Sequence, residues 1–415
     1  MIAACGQMTA TTLEEGPSVW EAAERLAGQA ASAGTDLLVL PETTYPAYWL
    51  ESAARYMQPD IERTGAVLER YSRMAARHSL WLIVGVVEED RGKLFNSAAV
   101  IDRGGRLIGM ARKNFLWDCD NRWFAPGESM SVFDSEFGRL GVLICADARA
   151  PEIAASLVCG GARFIAQPTA WVNASRVRRT YRNIQTDFLI RARAMEFGVP
   201  FLSASKSGRE GNHFEYVGQS LIVAADGTEL ARAPVGGEHL IVAEVEAGEP
   251  RAPRLDERTL GRLLGSERSS ATPASPTRCR LKLKADADAV AAALEAAGAR
   301  VARLSSPDLG SFAPGRCAAV DGAQVIVARG RVSDDVFVRS RAAENRVYVI
   351  TAAEGVQYVV HPEGSVMWRE SEWSDEVELD LSIADDKRFT PETDMWQQRR
   401  TACYRLQPAP VPCGG

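Results

Sequence analysis

The segment 139–152 reads RLGVLICADARAPE and joins an apolar run, a cysteine and the start of a helix. The run 140–144 is typical of a buried strand, and Pro151 is typical of the first turn of a helix. Cys145 therefore lies at a strand-to-helix turn, where a nucleophile is exposed beside free backbone N–H groups. Free cysteine is also among the most often buried residues, so this turn alone does not assign a function.

Two further strand-like segments end in residues that suit the same site. The segment 36–46 reads DLLVLPETTYP and carries Glu42 after its apolar run, and the segment 110–116 reads MARKNFL and carries Lys113. With these three segments in this order, the chain resembles the nitrilase (carbon–nitrogen hydrolase) superfamily, whose members carry a Glu-Lys-Cys triad at the ends of three strands. The resemblance covers about residues 1–260.

The alternation of strand-like and helix-like segments indicates an α/β protein, and the resemblance implies a four-layer α-β-β-α sandwich. Apolar spacing predicts helices at 18–34, 61–79 and 180–197, and strands at 37–40, 80–87, 98–102 and 107–112.

The three triad residues form a complete set for hydrolysing an amide. A free thiol has a pKa of about 8.5 and is mostly protonated at neutral pH, so Glu42 is expected to act as general base. Cys145 then attacks the amide carbon, while Lys113 and the backbone N–H of Ala146 stabilise the oxyanion. Water hydrolyses the resulting thioester, and neither a metal ion nor an organic cofactor is required.

The resemblance also implies a second acid between the lysine and the cysteine. The stretch 120–127 reads DNRWFAPG, so Asp120 occupies the position where relatives often carry a glutamate that is one methylene longer. The alternative is an exposed loop carboxylate. Phe115 occupies a position that is commonly histidine in the family, which makes the pocket beside Lys113 more apolar.

Five residues are candidates for substrate binding: Tyr45, Tyr48, Trp49, Arg149 and Trp171. The aromatic rings would line a pocket for an apolar or aromatic acyl group, and ordinary packing of large aromatic side chains is the alternative. The resemblance to hydrolases of N-carbamoyl amino acids implies that Arg149 binds a substrate carboxylate. In other relatives an arginine at this position is structural.

Composition limits the protein's class and partners. The chain has 415 residues, which suggests two domains, and its 46% hydrophobic and 25% charged residues are typical of a soluble globular protein. A net charge of −6 argues against nucleic-acid binding. Without a membrane-length apolar run or a signal peptide, and with eight scattered cysteines, we expect a cytoplasmic protein that contacts no membrane.

The expected partner is a small-molecule substrate, and the resemblance implies pairing into a homodimer. The four histidines form no metal-ligand spacing, so no metal site is predicted. A basic cluster after Trp171 is interpreted as a solvated helix face or a subunit contact, with attraction of an anionic substrate as the alternative. The cluster consists of Arg176, Arg178, Arg179 and Arg182.

The C-terminal third repeats motifs of the first part. GARFIA at 161–166 is echoed by GAQVIV at 322–327, and RAME at 193–196 by RAAE at 341–344. The second copy has no visible triad, since residues 304–308 at the place of Cys145 read LSSPD. We therefore predict a degenerate, non-catalytic half-repeat of the same fold, and an unrelated α/β appendage is the alternative.

The predicted domain limits are a catalytic domain at 1–262, a linker rich in Ser, Pro and Thr at 263–279, the half-domain at 280–405 and a tail at 406–415.

The predicted function is hydrolysis of a non-peptide C–N bond in a small amide or N-carbamoyl compound, with release of ammonia or an amine. An acyltransferase that uses the same acyl-enzyme is one alternative. A nitrilase is another, although true nitrilases tend to carry Trp-Glu after the cysteine where this chain has Ala146 and Asp147. A catalytically silent scaffold is disfavoured because Glu42, Lys113 and Cys145 are all retained.

Overall fold

The computed structural model describes residues 1–174, 181–265 and 278–407, and the chain forms two compact units. The N-terminal unit comprises Met1–Ala252, Thr390–Thr393 and the described part of Gln398–Gly415, and the C-terminal unit comprises Pro253–Phe389 and Asp394–Gln397. The division after Ala252 lies ten residues before the predicted limit at 262. Residues 266–277 of the predicted linker and residues 408–415 of the predicted tail lie outside the described residues.

The N-terminal unit alternates strands with helices. Its strands are β1 Ile2–Thr9, β2 Leu37–Val39, β3 Trp81–Asp90, β4 Lys93–Ile101, β5 Leu107–Arg112, β6 Ser131–Ser135, β7 Gly138–Val142, β8 Phe164–Thr169, β9 Phe201–Glu210, β10 Phe214–Val217, β11 Leu221–Val223, β12 Glu229–Arg232 and β13 His239–Glu244. Its helices are α1 Ser18–Ser32, α2 Ala53–Tyr56, α3 Thr64–His78, α4 Asp120–Trp123, α5 Pro151–Cys159 and α6 Ile190–Phe197, with a 3₁₀ turn at Cys145–Arg149.

Strand β1 joins the two halves of the sheet structure. It pairs antiparallel with β13 and parallel with β2, and its last two residues pair parallel with β9. The path of paired strands runs β5-β4-β3-β2-β1-β9-β8-β7-β6, and β11 pairs with β9 and β12. These parallel strands with intervening helices confirm the predicted α/β class.

The helices follow the predicted apolar spacing. Helix α1 buries Val19, Ala23, Leu26, Ala27 and Ala30, which lie on one face. This face packs into a core that also includes residues of β1–β4 and α3. The helix ends before the predicted limit at 34, where Gly34 has a φ of 69° that favours glycine.

The predicted helix at 180–197 is shorter in the structure. Only Ile190–Phe197 is α-helical, and a π-helical turn at Gln185–Leu189 precedes it. A π turn shifts the hydrogen-bond spacing to i→i+5, which apolar periodicity does not reveal. Within the predicted basic cluster only Arg182 is described, since residues 175–180 lie outside the described part of the chain.

The C-terminal unit contains a second, smaller sheet. Its order is β15-β16-β17-β18-β19, with the first three strands parallel and the last two antiparallel, and β14 pairs separately with β20. The strands are β14 Arg278–Lys282, β15 Val301–Ser305, β16 Val325–Arg329, β17 Tyr348–Ala352, β18 Val356–Val360, β19 Val366–Arg369 and β20 Glu376–Asp380. The helices are α7 Glu257–Leu264, α8 Ala287–Ala296, α9 Phe312–Val320, α10 Val336–Asn345 and α11 Ser382–Asp385.

The remaining short strands are β21 Arg388–Thr390 and β22 Thr393–Asp394. Across the described ranges, no helix combines the length and the apolar character needed to cross a membrane.

Gly85 on β3 lets this strand pass directly beside the segment that carries Glu42. A Cβ atom at Gly85 would lie 2.4 Å from both the Pro41 carbonyl oxygen and the Thr43 nitrogen, and 2.5 Å from the Glu42 Cα. These are backbone atoms, which no rotamer change can move aside.

We expect Gly85→Ala to lower the free energy of unfolding by about 1–3 kcal/mol, measured by urea denaturation. Gly65→Ala is the matched control, because a Cβ at this helical position meets nothing within 4 Å and alanine favours the helix. Equal stability of the two variants would contradict the close approach.

Candidate active site

Three strand ends bring the predicted triad residues to one buried site. Glu42 follows β2, Lys113 follows β5 and Cys145 begins the 3₁₀ turn after β7. The Lys113 Nζ lies 2.6 Å from Glu42 Oε1 and 2.6 Å from Asp120 Oδ2, and none of these three side chains is exposed. The ammonium thus lies between two carboxylates that are shielded from water.

Asp120 reaches the lysine despite its short side chain. It opens the short helix α4, and its Oδ2 also accepts the backbone N–H of Trp117 at 2.9 Å. The structure buries this carboxylate completely, unlike an exposed loop acid.

The charges of the site favour a protonated lysine. Burial alone would lower the pKa of Lys113, but the carboxylates of Asp120 and Glu42 hold it well above its ordinary value. Lys113 is therefore a cation at neutral pH, which suits a group that stabilises negative charge.

Cys145 is held in a conformation that is uncommon for a residue other than glycine. Its φ is 46°, in the left-handed region where backbone strain is often found at functional sites. Burial raises the pKa of the thiol to about 12; the Glu42 carboxylate raises it as well, while the Lys113 ammonium lowers it. Both charged groups therefore act on the thiol, which is neutral at rest.

Asp147 bonds the lysine loop to the cysteine turn. Its Oδ1 accepts the backbone N–H groups of Asn114 and Phe115 at 3.0 and 2.7 Å, and its Oδ2 accepts that of Ile144 at 2.9 Å. Burial raises the pKa of Asp147 to about 7, against the lowering effect of these donors. Ala146, the predicted backbone donor, lies buried between this residue and the thiol.

Asn96 is a site residue that the sequence analysis missed. Its Nδ2 donates to Glu42 Oε1 at 2.7 Å and lies 3.4 Å from Asp120 Oδ1. It therefore orients both acids. The one available signal was a polar pair, Asn96 and Ser97, in the middle of the otherwise apolar stretch 94–101 of β4.

Glu42 Oε2 has no hydrogen-bond partner among the described residues. Because Oε1 is engaged by both Lys113 and Asn96, Oε2 is the oxygen that is available to receive a proton.

Two of the predicted pocket residues lie close to these groups. The Tyr48 ring centroid is 5.7 Å from Lys113 Nζ. Arg149 stacks its guanidinium 4.2 Å from the Trp117 ring, and Trp117 in turn bonds Asp120 through its backbone. Arg149 is only partly buried.

The other aromatic candidates are placed differently. Trp49 stacks on His213 with ring centroids 4.1 Å apart, and Trp171 follows β8 with no exposed surface. Tyr45 stacks on Trp20, and its hydroxyl accepts the backbone N–H of Glu62. Tyr45 thus belongs to the apolar core of the N-terminal unit.

The raised thiol pKa predicts how Cys145 reacts with iodoacetamide. A free thiol titrates near pH 8.5, but this one stays protonated well above that value because of its burial and the neighbouring Glu42 carboxylate. We expect its alkylation rate to show no titration step between pH 6 and 9, measured by mass spectrometry with Cys145→Ala as background. A step with a midpoint in that range would contradict a neutral resting thiol.

Comparison with known proteins identifies relatives of the N-terminal unit. A family model described as carbon-nitrogen hydrolase matches residues 2–253. An omega-amidase from Homo sapiens is 31% identical over 225 residues, which cover 52% of this chain and 77% of that protein. A nitrilase from Pyrococcus abyssi is 30% identical over 244 residues, which cover 57% of this chain and 86% of that protein.

Solved structures share the fold. An amidase variant from Nesterenkonia sp. AN1, with acrylamide added at its active-site cysteine, aligns with a TM-score of 0.52 at 23% identity. The alignment covers 59% of this chain and 92% of the amidase.

Proposed function

Because the chain belongs to the carbon–nitrogen hydrolase family of the nitrilase superfamily, we propose that it hydrolyses a small amide or N-carbamoyl compound through a thioester on Cys145. One observation carries this proposal. The Lys113 ammonium lies 2.6 Å from each of two buried carboxylates, Glu42 and Asp120, and Glu42 and Lys113 both act on the neutral thiol.

The first half of the reaction forms the thioester. Glu42 takes the thiol proton on Oε2 while the sulfur attacks the carbonyl carbon, so one C–S bond forms and the carbonyl π bond opens. The oxyanion lies against Lys113 Nζ and the backbone N–H of Ala146. When the carbonyl reforms, the C–N bond breaks and the leaving nitrogen takes the proton from Glu42.

The second half restores the enzyme. Glu42 takes a proton from a water molecule, whose oxygen attacks the thioester carbon, and the C–S bond then breaks to give a carboxylic acid. The sulfur regains the proton. Asn96 and Lys113 hold Oε1 throughout, so the same Oε2 serves as base in both halves.

The pocket supports a small acyl group. The Tyr48 ring lies 5.7 Å from Lys113 Nζ, and the buried Phe115 follows the lysine by two residues. These apolar rings suit a planar or aliphatic acyl chain. Arg149 is partly exposed and stacks on the Trp117 ring, and we propose that it receives a substrate carboxylate when one is present. The alternative from the sequence analysis, a structural role for Arg149, is supported to the same degree by its stacking on Trp117.

Ammonia release from a panel of compounds tests the proposal. The panel contains ω-amides, aromatic amides, ureido acids and nitriles. We expect ammonia release from at least one amide or ureido acid. When an amine is added, the carboxylic acid formed by hydrolysis should still form faster than the amide formed by acyl transfer. Release from nitriles alone, or from none of the compounds, would contradict the proposal; acyl transfer to amines at the expense of hydrolysis would favour an acyltransferase.

We also infer a four-layer arrangement in the N-terminal unit. Two ladders of six strands support it: β13-β1-β2-β3-β4-β5 and β6-β7-β8-β9-β11-β12. Helices α1 and α3 contact strands of the first ladder, whereas α5 and α6 contact strands of the second. The facing strands β3 and β8 are in contact, as expected for two sheets packed between helices.

We further infer that the C-terminal unit is a degenerate half-repeat of this fold. The order β15-β16-β17-β18-β19 has the same pattern of parallel and antiparallel pairs as β7-β8-β9-β11-β12. A 3₁₀ turn and then a helix follow both strands: Cys145–Arg149 and α5 come after β7, and Ser306–Gly310 and α9 come after β15.

Equivalent buried contacts support the repeat. Arg193 pairs with Glu196 and donates to the Ala148 carbonyl, and Arg341 pairs with Glu344 and donates to the Leu309 carbonyl. This explains why the RAME and RAAE motifs recur.

The two 3₁₀ turns are also alike. Asp308 accepts the Ser305 N–H as Asp147 accepts that of Ile144. Ser306 therefore corresponds to Cys145, and its hydroxyl donates to the Arg329 carbonyl at 3.1 Å. At the position of Cys145, the second copy therefore carries a hydroxyl that is bonded to a backbone carbonyl and not to a carboxylate base.

We propose a reducing, cytoplasmic setting for the enzyme. The seven described cysteines all carry free thiols, which suits a compartment where thiols stay reduced and where the nucleophile is preserved.

A further inference from the structure

We infer that Thr393 is a positioning residue for Asp120, so that the C-terminal segment 390–393 takes part in aligning the active site. The inference rests on the proposed function, since it assigns a role to the carboxylate that holds Lys113. Thr393 lies 275 residues beyond its partner Asp118, yet the segment Thr390–Thr393 belongs to the N-terminal unit.

The contact that carries the inference is buried. Thr393 has no exposed surface, and its Oγ1 accepts the backbone N–H of Asp118 at 2.6 Å. Asp118 has a φ of 47°, in the left-handed region that residues with a Cβ rarely adopt. The hydroxyl therefore stabilises a turn that would otherwise relax toward an ordinary backbone conformation.

This turn carries the Asp120 carboxylate, which holds Lys113. The Asp120 N–H donates to the Trp117 carbonyl, and Asp120 Oδ2 accepts the Trp117 N–H, each at 2.9 Å. Asp118 lies in the sequence between Trp117 and Asp120, the two residues that these bonds join. Because the same Oδ2 lies 2.6 Å from Lys113 Nζ, a shift at residue 118 would displace the partner of the oxyanion donor.

Further bonds join the same loop to the C-terminal segments. The Asn121 Nδ2 donates to the Glu392 carbonyl at 3.0 Å, and the Gln398 Nε2 donates to Asn121 Oδ1 at 2.8 Å. Arg122 and Glu392 form an ion pair. These exposed contacts hold residues 121 and 122 against residues 392 and 398. The buried Thr393 hydroxyl stabilises the backbone conformation of Asp118.

A valine at position 393 tests the role of the hydroxyl. Thr393→Val keeps the side-chain shape but leaves the Asp118 N–H without its acceptor. We expect kcat to fall about 10- to 100-fold, the range expected for a small misplacement of a catalytic group, with a smaller change in KM. Thr393→Ser, which keeps the hydroxyl, should retain most of the activity.

A glycine at position 118 separates positioning from general stability. Glycine adopts a positive φ without support, so Asp118→Gly combined with Thr393→Val should recover part of the lost kcat. Thr351→Val is the matched control: Thr351 is fully buried in the C-terminal unit, and its hydroxyl has no hydrogen-bond partner among the described residues. It should leave kcat within about twofold.

Acrylamide addition to Cys145, followed by intact-protein mass spectrometry, gives a readout that needs no turnover. Thr393→Val should slow this addition relative to the wild type, even if no amide in the panel is hydrolysed and the proposed function fails. Folded Thr393→Val protein with wild-type kcat and addition rate would overturn the inference. So would equal losses in Thr393→Val and Thr393→Ser with no recovery by Asp118→Gly.

Discussion

Replacing Cys145 with alanine is expected to lower ammonia release from the best amide substrate by at least about 10⁴-fold, because loss of a nucleophile that works with its base can cost about 10⁶-fold in turnover. The measurement is steady-state ammonia release at saturating substrate.

Cys159→Ala is the matched control for this experiment. Cys159 lies on α5, and its exposed fraction of 7% equals that of Cys145. Both substitutions remove one buried sulfur, so both should change the free energy of unfolding by a similar, small amount. Only Cys145→Ala should lose turnover. Activity of Cys145→Ala within about tenfold of the wild type would contradict the role of the thiol.

The second large effect is expected for Lys113→Met. Removing one oxyanion donor costs about 10²–10³-fold in turnover, and here the change also leaves Glu42 and Asp120 facing each other without a cation. Breaking a buried pair by removing one partner costs about 3–5 kcal/mol. Turnover and the free energy of unfolding should therefore both fall.

The stability loss in Lys113→Met should depend on pH. In the wild type, the raised pKa of Lys113 means that its contribution is fully present below about pH 10.4, the ordinary lysine value, and is lost only above it. In the variant, one of the two carboxyls is expected to take up a proton, because like charges raise each other's pKa. The folded variant then binds more protons than its unfolded chain, so its stability falls as the pH rises from 5 to 8.

Urea denaturation at pH 5 and pH 8 measures this dependence. Arg341→Met is the control, since it removes the cation from a buried Arg–Glu pair in the C-terminal unit. It should lose stability while leaving ammonia release within a few-fold of the wild type. A Lys113→Met variant with the same stability deficit at both pH values would contradict the paired-carboxylate arrangement.

The sequence was sufficient to predict the strand ends that build the site. The apolar runs before Glu42, Lys113 and Cys145 fall next to observed strands, and Pro151 begins α5 as expected. These features depend on local patterns, namely buried-strand composition and the preference of proline for the first helical turn.

Features that depend on distant contacts could not be predicted. The Asp118–Thr393 bond joins residues 275 positions apart, and no local pattern encodes such a pair. Helix α7 at Glu257–Leu264 looked like the end of the first domain, but it belongs to the C-terminal unit and packs against α9. Asn96 lies in a strand whose pattern predicts only burial, not the two carboxylates that it contacts.

Acid quenching during turnover, followed by intact and peptide mass spectrometry, shows whether the acyl group is carried on Cys145. A thioester on Cys145 predicts a mass increase equal to the acyl group of the substrate, on the peptide that contains Cys145, at a rate of formation no slower than ammonia release. Ammonia release without an adduct, or with an adduct on a different residue, would contradict a thioester on Cys145.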